Sequence, residues 1–155
     1  MNRCLAGLQR DTMVRSMRRY VQHGRTSTYR HCVHVAAMSY RIAAVLAHVH
    51  IRTDRRSLLR GALLHDFYLY DWHEKDRSHR WHGFHHAARS LRNAEARFPL
   101  NGVERDIIRC HMWPLNLTCL PRTREAAIVC LADKLCAIRE LFGKNPPGIF
   151  RGDFL

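Results

Sequence analysis

A histidine and an aspartate, His65 and Asp66, stand next to each other at the end of the apolar run Gly61-Ala-Leu-Leu. Two metal-binding side chains that emerge from a segment suited to burial are hard to explain by packing. Imidazole and carboxylate groups together suit Fe, Mn, Zn, Ni or Co, and the carboxylate also suits Mg. Such a site most often activates water for hydrolysis. The other residues with the types and order of a divalent-metal site are His31, His86, His111 and Asp133.

Helical periodicity indicates where these side chains lie. Asp66 shares a stripe at i, i+3, i+4 and i+7 with Leu59, Ala62 and Leu63, and His65 lies on the neighbouring stripe. Apolar stripes of this kind face the core of a globular protein. Both members of the doublet are therefore predicted to point at or near the core.

Two more of these residues fall on predicted helix faces that look buried. His111 shares its face with Ile107 and Ile108, and Asp133 lies in the middle of the last helix. A buried carboxylate is costly unless it is paired or binds a metal. Asp133 could equally pair with Lys134, so it indicates a metal only in combination with the others. The apolar stripe of that last helix comprises Ile128, Leu131, Leu135 and Ile138.

The elements that must position these residues are predicted to be helices, because helical periodicity dominates and strand-like alternation is missing. The predicted helices cover about 11–23, 29–48, 53–66, 84–97, 101–113 and 124–142, with loops at 68–81 and 115–122. At 155 residues the chain is most simply one domain, 1–155, with a core at about 29–142 and a C-terminal tail at 143–155. We therefore expect an all-α fold, a compact bundle of about six helices.

The formal net charge is +13, and arginine supplies nearly all of the positive side. A polyanion partner such as nucleic acid, or a small phosphorylated substrate, would benefit from this charge. The arginines are spread along the chain rather than clustered with aromatic residues, which favours a solvated basic surface. Nucleic acid is therefore a partner that the sequence allows but does not favour.

The cysteines and the hydropathy indicate a reduced, cytoplasmic protein. None of the six cysteines forms a C-x-x-C pair. We expect no membrane partner, because no apolar run approaches the roughly 18 residues of a membrane span, and we find no secretory signal. Four of the cysteines sit in apolar helical patterns, where a free cysteine behaves as a small hydrophobic residue: Cys32, Cys110, Cys130 and Cys136.

Each histidine taken alone has an ordinary explanation, because the chain contains 12 of them. His31 alone is more often a surface or satisfied core histidine, and His34 competes for its role. Among His82, His85 and His86, some must be merely solvated. The ordered combination is stronger than its parts.

That combination resembles the HD-domain superfamily of metal-dependent phosphohydrolases. The family pattern is a histidine, then an adjacent His–Asp pair, then a distal aspartate, all on an α-helical core. His31 heads a His-x-x-x-Val-Ala segment, His65–Asp66 matches the doublet, and Asp133 lies in Ala-Asp-Lys. The resemblance covers about 29–140 and is closest to small stand-alone bacterial HD proteins.

The resemblance implies one or two divalent ions per chain, of Fe, Mn, Co, Ni, Zn or Mg. Family members with two metals add two histidines between the doublet and the distal aspartate, and His86 and His111 fall in those positions. It further implies hydrolysis of a small phosphomonoester or phosphodiester, with nucleotides as first candidates. Asp66, which would bridge two ions, and both added histidines are then the predicted catalytic residues. The metal ligands that it implies are His31, His65, Asp66, His86, His111 and Asp133.

The chain also departs from the family pattern. It lacks the Gly-Tyr-Pro signature of cyclic-dinucleotide phosphodiesterases, so that activity is not supported. The frequent His-Asp-x-Gly-Lys is replaced by His-Asp-Phe-Tyr-Leu, which removes a lysine; Lys75, Arg77 or Arg80 could bind phosphate instead. The alternative function is a non-catalytic module that binds a nucleotide or nucleic acid. We favour the enzyme, because none of the four core ligands is lost.

Overall fold

The computed structural model describes residues 2–24, 26–70 and 82–142. Part of the predicted loop at 68–81, with Lys75, Arg77 and Arg80, and the predicted tail at 143–155 lie outside the described residues. Seven α-helices occur in the described part: α1 (Asn2–Arg10), α2 (Thr12–Ser16), α3 (Thr28–His48), α4 (Arg55–Leu64), α5 (His82–Arg97), α6 (Gly102–Cys110) and α7 (Arg124–Leu141). A 3-10 turn (Met17–Arg19) and two short antiparallel strands, β1 (Val21–His23) and β2 (Thr26–Ser27), complete it. The all-α prediction is confirmed, whereas the assignment of 1–155 to one domain stays a prediction.

Four of the five long helices, α3, α4, α6 and α7, begin where the sequence supplies capping side chains. Ser27 caps α3 and Thr123 caps α7, each by accepting a bond from a backbone N–H three residues on. Asp54 accepts bonds from two backbone N–H groups at the start of α4, and Asn101 and Glu104 form a reciprocal capping box at α6. Such caps satisfy the first N–H groups of a helix, which have no partner within it.

The N-terminal prediction is wrong, because residues 11–23 do not form one helix. The Asp11 side chain accepts bonds from the N–H groups of Met13 and Val14, so a new short helix starts at Thr12. The chain then leaves the helical conformation at Tyr20 and forms a hairpin that turns at Gly24, whose φ of 56° suits glycine. A strand of three residues is too short to show a period, which is why the sequence did not predict it.

Helix α4 lies at the centre of the bundle and packs against α1, α3, α6 and α7. Its apolar residues Leu58, Leu59, Ala62 and Leu63 are all fully buried. This burial removes apolar surface from water on every side of the helix, which is the main favourable contribution to folding. The end of α4, where the His–Asp doublet stands, is thereby held inside the core.

The orientation of α7 differs from the prediction. Leu131, Leu135 and Ile138 are 52%, 39% and 52% exposed, whereas the small residues Ala132 and Cys136 are buried. Of the predicted apolar stripe only Ile128 is buried, so the stripe as a whole does not face the core. The side that carries Asp133 is nevertheless buried, because small side chains there allow a close approach to α3 and α6.

The cysteine prediction is also partly wrong. Cys110, at the end of α6, is joined to Cys119 in a disulfide with a Cα–Cα distance of 5.1 Å. Cys32, Cys130 and Cys136 are free and buried, as predicted. The cytoplasmic location stays a prediction.

Among the described residues, no helix combines the length and the apolar character that crossing a membrane requires.

A glycine determines how closely α4 and α6 approach. A Cβ atom added at Gly61 would lie 2.6 Å from Cδ1 of Ile107 and 3.0 Å from its Cβ. We expect Gly61→Ala to destabilise the fold by about 1–3 kcal/mol, because the added methyl overpacks the contact. Gly7→Ala is the matched control, since an added Cβ there meets nothing within 4 Å and alanine favours a helix by about 0.5–1 kcal/mol. Urea denaturation measures both; equal stabilities of the two variants would contradict the assigned contact.

Candidate metal centre

The six predicted site residues meet in the interior of the bundle, and every long helix contributes. His31 lies on α3, His86 on α5 and Asp133 on α7. His65 and Asp66 directly follow the last residue of α4, and His111 directly follows that of α6. All six are buried, the most exposed being Asp133 at 9%. The structure thus brings together every residue that the sequence singled out, although their roles as ligands remain predictions.

Three of these side chains converge on one side of the cluster. Nε2 of His31 lies 3.0 Å from Oδ1 of Asp133, and Nε2 of His65 lies 3.7 Å from the same oxygen. Oδ2 of Asp66 lies 3.3 Å from Nε2 of His65 and 3.9 Å from Nε2 of His31. The ligand-type atoms of His31, His65 and Asp133 thus lie within 4.8 Å of one another, and Oδ2 of Asp66 approaches the two histidines.

The other oxygen of Asp66 faces a different pair of histidines. Oδ1 lies 3.2 Å from Nε2 of His86 and 3.4 Å from Nε2 of His111. Those two Nε2 atoms are 2.8 Å apart. The carboxylate of Asp66 therefore stands between two groups of ligand atoms and offers one oxygen to each.

Hydrogen bonds to the backbone orient two of the histidines. Nδ1 of His65 donates to the carbonyl of Ala62 at 2.7 Å, and Nδ1 of His111 donates to that of Ile108 at 2.9 Å. Because a carbonyl only accepts, Nδ1 carries a proton in each ring and Nε2 is directed into the cluster. This is the arrangement by which proteins present imidazole to a metal.

Two buried atoms of the cluster make no hydrogen bond: Nε2 of His65 and Oδ1 of Asp66. A buried polar atom without a partner costs about 1–3 kcal/mol. A divalent cation would satisfy a ring nitrogen and a carboxylate oxygen together, so the residues present fit a metal ion. Two sets of three side chains hold their ligand-type atoms within 4.8 Å of one another. His31, His65 and Asp133 form one set, and His65, Asp66 and His111 form the other.

The carboxylates of the cluster attract positive charge. Burial alone would lower the pKa of His31, but its bonds to Asp133 and Glu140 raise the pKa from 6.5 to about 10. Burial would raise the pKa of Asp133, but the hydrogen bond from His31 and the nearby charge of His65 hold it well below its usual value. In the protein without metal, protons therefore compete for the positions that a cation would take.

The pKa of His111 shifts in the opposite direction. Burial lowers it, and the charges of His65 and His86 lower it further, against the opposing effect of Asp66. A neutral imidazole is the form that binds a metal. The lowered pKa therefore keeps His111 in the form that could bind a metal.

Sequence reasoning missed three side chains at this centre. Glu140 accepts bonds from Nδ1 of His31 at 2.9 Å and from Nδ1 of His34 at 2.8 Å. The amide of Gln22 contacts Asp66, and Nζ of Lys134 donates to the carbonyl of His111 at 2.7 Å. Only Glu140 left a signal, since it stands seven residues after Asp133 on the same helix face.

The other candidate histidines lie apart from the six. His34 faces Glu140, so it does not replace His31 in the cluster. His85 is exposed, and the side chain of His82 lies outside the described part of the chain.

The comparison with protein families decides the classification. The model of the HD domain family matches residues 28–138, a range that includes all six residues of the cluster. The chain belongs to the HD-domain family. HD domains are the superfamily of metal-dependent phosphohydrolases, which agrees with the His/Asp groups that could hold a metal. No curated protein and no solved structure matches this HD domain significantly.

The raised pKa of His31 predicts how the metal-free protein responds to pH. Between its usual pKa of 6.5 and about 10, the folded state holds a proton that the unfolded state has released. The stability from this group is therefore complete below about pH 6.5 and is lost as the pH rises toward 10, by a few kcal/mol at most. Glu140→Gln removes one of the charged partners of His31 and should therefore reduce this loss of stability.

Urea denaturation in a metal chelator at pH 6.5 and 9.5 measures the effect. The contributions of other titrating groups cancel when the pH-dependent change in the free energy of unfolding is compared between the wild type and Glu140→Gln. The same loss of stability in both proteins would show that Glu140 does not hold a proton on His31.

Proposed function

We propose that this HD domain is a metal-dependent phosphohydrolase that cleaves a phosphomonoester or phosphodiester in a small substrate, with nucleotides as first candidates. One observation carries the proposal: the buried carboxylate of Asp66 offers its two oxygens to two separate groups of ligand atoms. A carboxylate so placed suits a bridge between two metal positions, which is a recurrent design of phosphoester-hydrolysing sites.

The proposed ligands divide between the two positions. His31, His65 and Asp133 would hold the first, and His86 and His111 would hold the second, with Asp66 shared. Divalent ions of Fe, Mn, Co, Ni, Zn or Mg, when bound, polarise a phosphoryl oxygen and activate water as a nucleophile. Asp66, His86 and His111 are the proposed catalytic residues. If only the first position binds an ion, the ring nitrogens of His86 and His111, which are 2.8 Å apart, would serve in proton transfer instead.

Lys134 can bind the phosphoryl group of the substrate. Its ammonium donates to the carbonyl of His111 and lies 3.4 Å from Oδ2 of Asp133, so it stands beside residues of both proposed positions. An ammonium has three N–H donors, and these contacts use two of them. The side chain is 36% exposed, which leaves the third donor open to an incoming phosphate oxygen.

The arginines of the described region give less support to a nucleic-acid-binding function. Arg60 pairs with Glu104, Arg97 with Asp11, and Arg105 with Glu95. These pairs lie on different elements of the fold, whereas a nucleic-acid site concentrates its positive charge in one patch. Each of these three arginines is balanced by an acidic partner, so none of them contributes to the +13 surplus, and this supports the enzyme over the binding module.

Removal of the doublet tests the proposed function. The wild type should contain a transition metal, one or two ions per chain, and should hydrolyse phosphorylated metabolites with Mn, Co, Ni or Mg. Asp66→Ala should lose most of the metal, and Asp66→Ala and His65→Ala should each lose several orders of magnitude of activity, because each lacks a proposed ligand. Elemental analysis and a phosphate-release screen measure the two effects, and His48→Ala, at an exposed position at the end of α3, is the matched control.

A nucleic-acid module would give the opposite pattern. Its binding would fall steeply with salt, because counterions are released from the phosphates, and it would persist in Asp66→Ala. Such binding, together with no hydrolysis of any phosphoester by the wild type, would replace the proposed enzyme.

Replacement of Lys134 tests its contact with the substrate. A charge-assisted hydrogen bond contributes about 1.5–3 kcal/mol, so Lys134→Met should weaken substrate binding, or inhibition by inorganic phosphate, roughly 10- to 100-fold. Lys134→Arg keeps the charge and should retain part of the affinity, and Arg41→Met, at an exposed position on α3, should change nothing. Steady-state kinetics at matched metal content would reject the contact if Lys134→Met behaved as the wild type.

A further inference from the structure

The N-terminal hairpin places one side chain against the metal centre. In β1, Val21 points outward and is 37% exposed, whereas the next residue, Gln22, is 6% exposed. This alternation is the ordinary consequence of the strand conformation. Nε2 of Gln22 donates a hydrogen bond of 2.7 Å to Oδ2 of Asp66.

Neighbouring hydroxyl groups determine which end of the Gln22 amide faces Asp66. The hydroxyl of Tyr68 donates to Oε1 of Gln22, and the hydroxyl of Thr28 lies 3.3 Å from the same oxygen. The two hydroxyl groups are themselves 3.1 Å apart. Because an ionised carboxylate only accepts hydrogen bonds, the NH2 end of the amide must face Asp66. The amide therefore has one favourable orientation.

This contact comes from outside the recognised domain. The family match begins at residue 28, and Gln22 lies six positions before it. Gln22 is therefore not among the residues that the family model matches.

The bond of Gln22 also makes the two oxygens of Asp66 unequal. Oδ2 has the amide as a donor, whereas Oδ1 has no hydrogen-bond partner. A neutral amide can hold a carboxylate in one rotation without neutralising its charge, which a cationic side chain would do. The free lone pairs of Asp66 thus remain directed at the two groups of histidines.

We propose that Gln22 is a positioning residue of the metal centre. It holds the Asp66 carboxylate so that Oδ2 faces His31 and His65 while Oδ1 faces His86 and His111. This inference rests on the role of Asp66 as a metal ligand in the proposed function. Partners that orient a ligand in this way typically change metal affinity by 10- to 100-fold when they are removed.

A merely structural role would consist in anchoring the hairpin to the core. Gln22→Met separates the two roles, because methionine fills a similar volume but cannot donate to Asp66. Affinity and stoichiometry for Mn²⁺ and Co²⁺, measured by equilibrium dialysis and by the visible spectrum of bound Co²⁺, are readouts that need no substrate. We expect Gln22→Met to bind Mn²⁺ about 10- to 100-fold more weakly and to show an altered Co²⁺ spectrum.

Two further variants complete the experiment. Tyr68→Phe keeps the packing but removes a donor to Oε1, so the Gln22 amide can turn, and a smaller loss of several-fold is expected. If Gln22→Met fails to fold, Tyr68→Phe alone decides. Gln9→Met, at the only other glutamine of the chain, should bind Mn²⁺ as the wild type does.

The outcomes separate this inference from the proposed function. Wild-type affinity for Mn²⁺ and an unchanged Co²⁺ spectrum in folded Gln22→Met would overturn the inference. If only Tyr68→Phe folds, the same result in that variant would overturn it. Weakened metal binding in a protein that hydrolyses no phosphoester would support Gln22 and reject the enzyme. A wild type that binds neither Mn²⁺ nor Co²⁺ would reject both.

Discussion

The structure depends on how three buried carboxylates, those of Asp66, Asp133 and Glu140, are balanced inside a helical core. A buried charge without a partner is among the costliest features a fold can contain. Here each carboxylate faces histidine nitrogens, and His31 contacts Asp133 with one nitrogen and Glu140 with the other. Because these side chains come from α3, α7 and the residues directly after α4, the packing of these helices and the pairing of the charges depend on each other.

The same local device operates at two of the helix ends. The last carbonyl groups of a helix have no partner within it, and in α4 and α6 a histidine directly after the helix donates Nδ1–H to the carbonyl three residues earlier. That bond satisfies a buried backbone group and, at the same time, directs Nε2 of His65 or His111 into the cluster. A capping requirement of the backbone thus positions two of the proposed ligands, and the apolar face of each helix keeps its end inside the core.

The sequence allowed most of this to be predicted, and the failures have physical causes. Residue type and order identified the six cluster residues, because a doublet at the end of an apolar run and a carboxylate on a buried helix face are rare. Gln22 was missed because a single polar residue in a three-residue strand has no period, and the hairpin forms by pairing and tertiary contact. The exposure of Leu131 was not predicted, because a hydrophobic stripe does not indicate which of two helix faces packs against neighbouring elements. The disulfide partner Cys119 lies in a loop, where spacing indicates nothing about contact.

The centre is less positive than the chain as a whole, and this bears on the order of binding. The chain carries +13, yet the carboxylates of Asp66, Asp133 and Glu140 lie at the centre and offset the charges of protonated His31 and of Lys134. A phosphate group that approaches the metal-free centre would therefore meet three buried carboxylates with little surplus positive charge to attract it. In the proposed function, divalent cations would replace the proton on His31 and add positive charge between the histidines and carboxylates. A basic surface can raise the local concentration of an anionic substrate, and metal at the centre would then supply the charge that binds its phosphate.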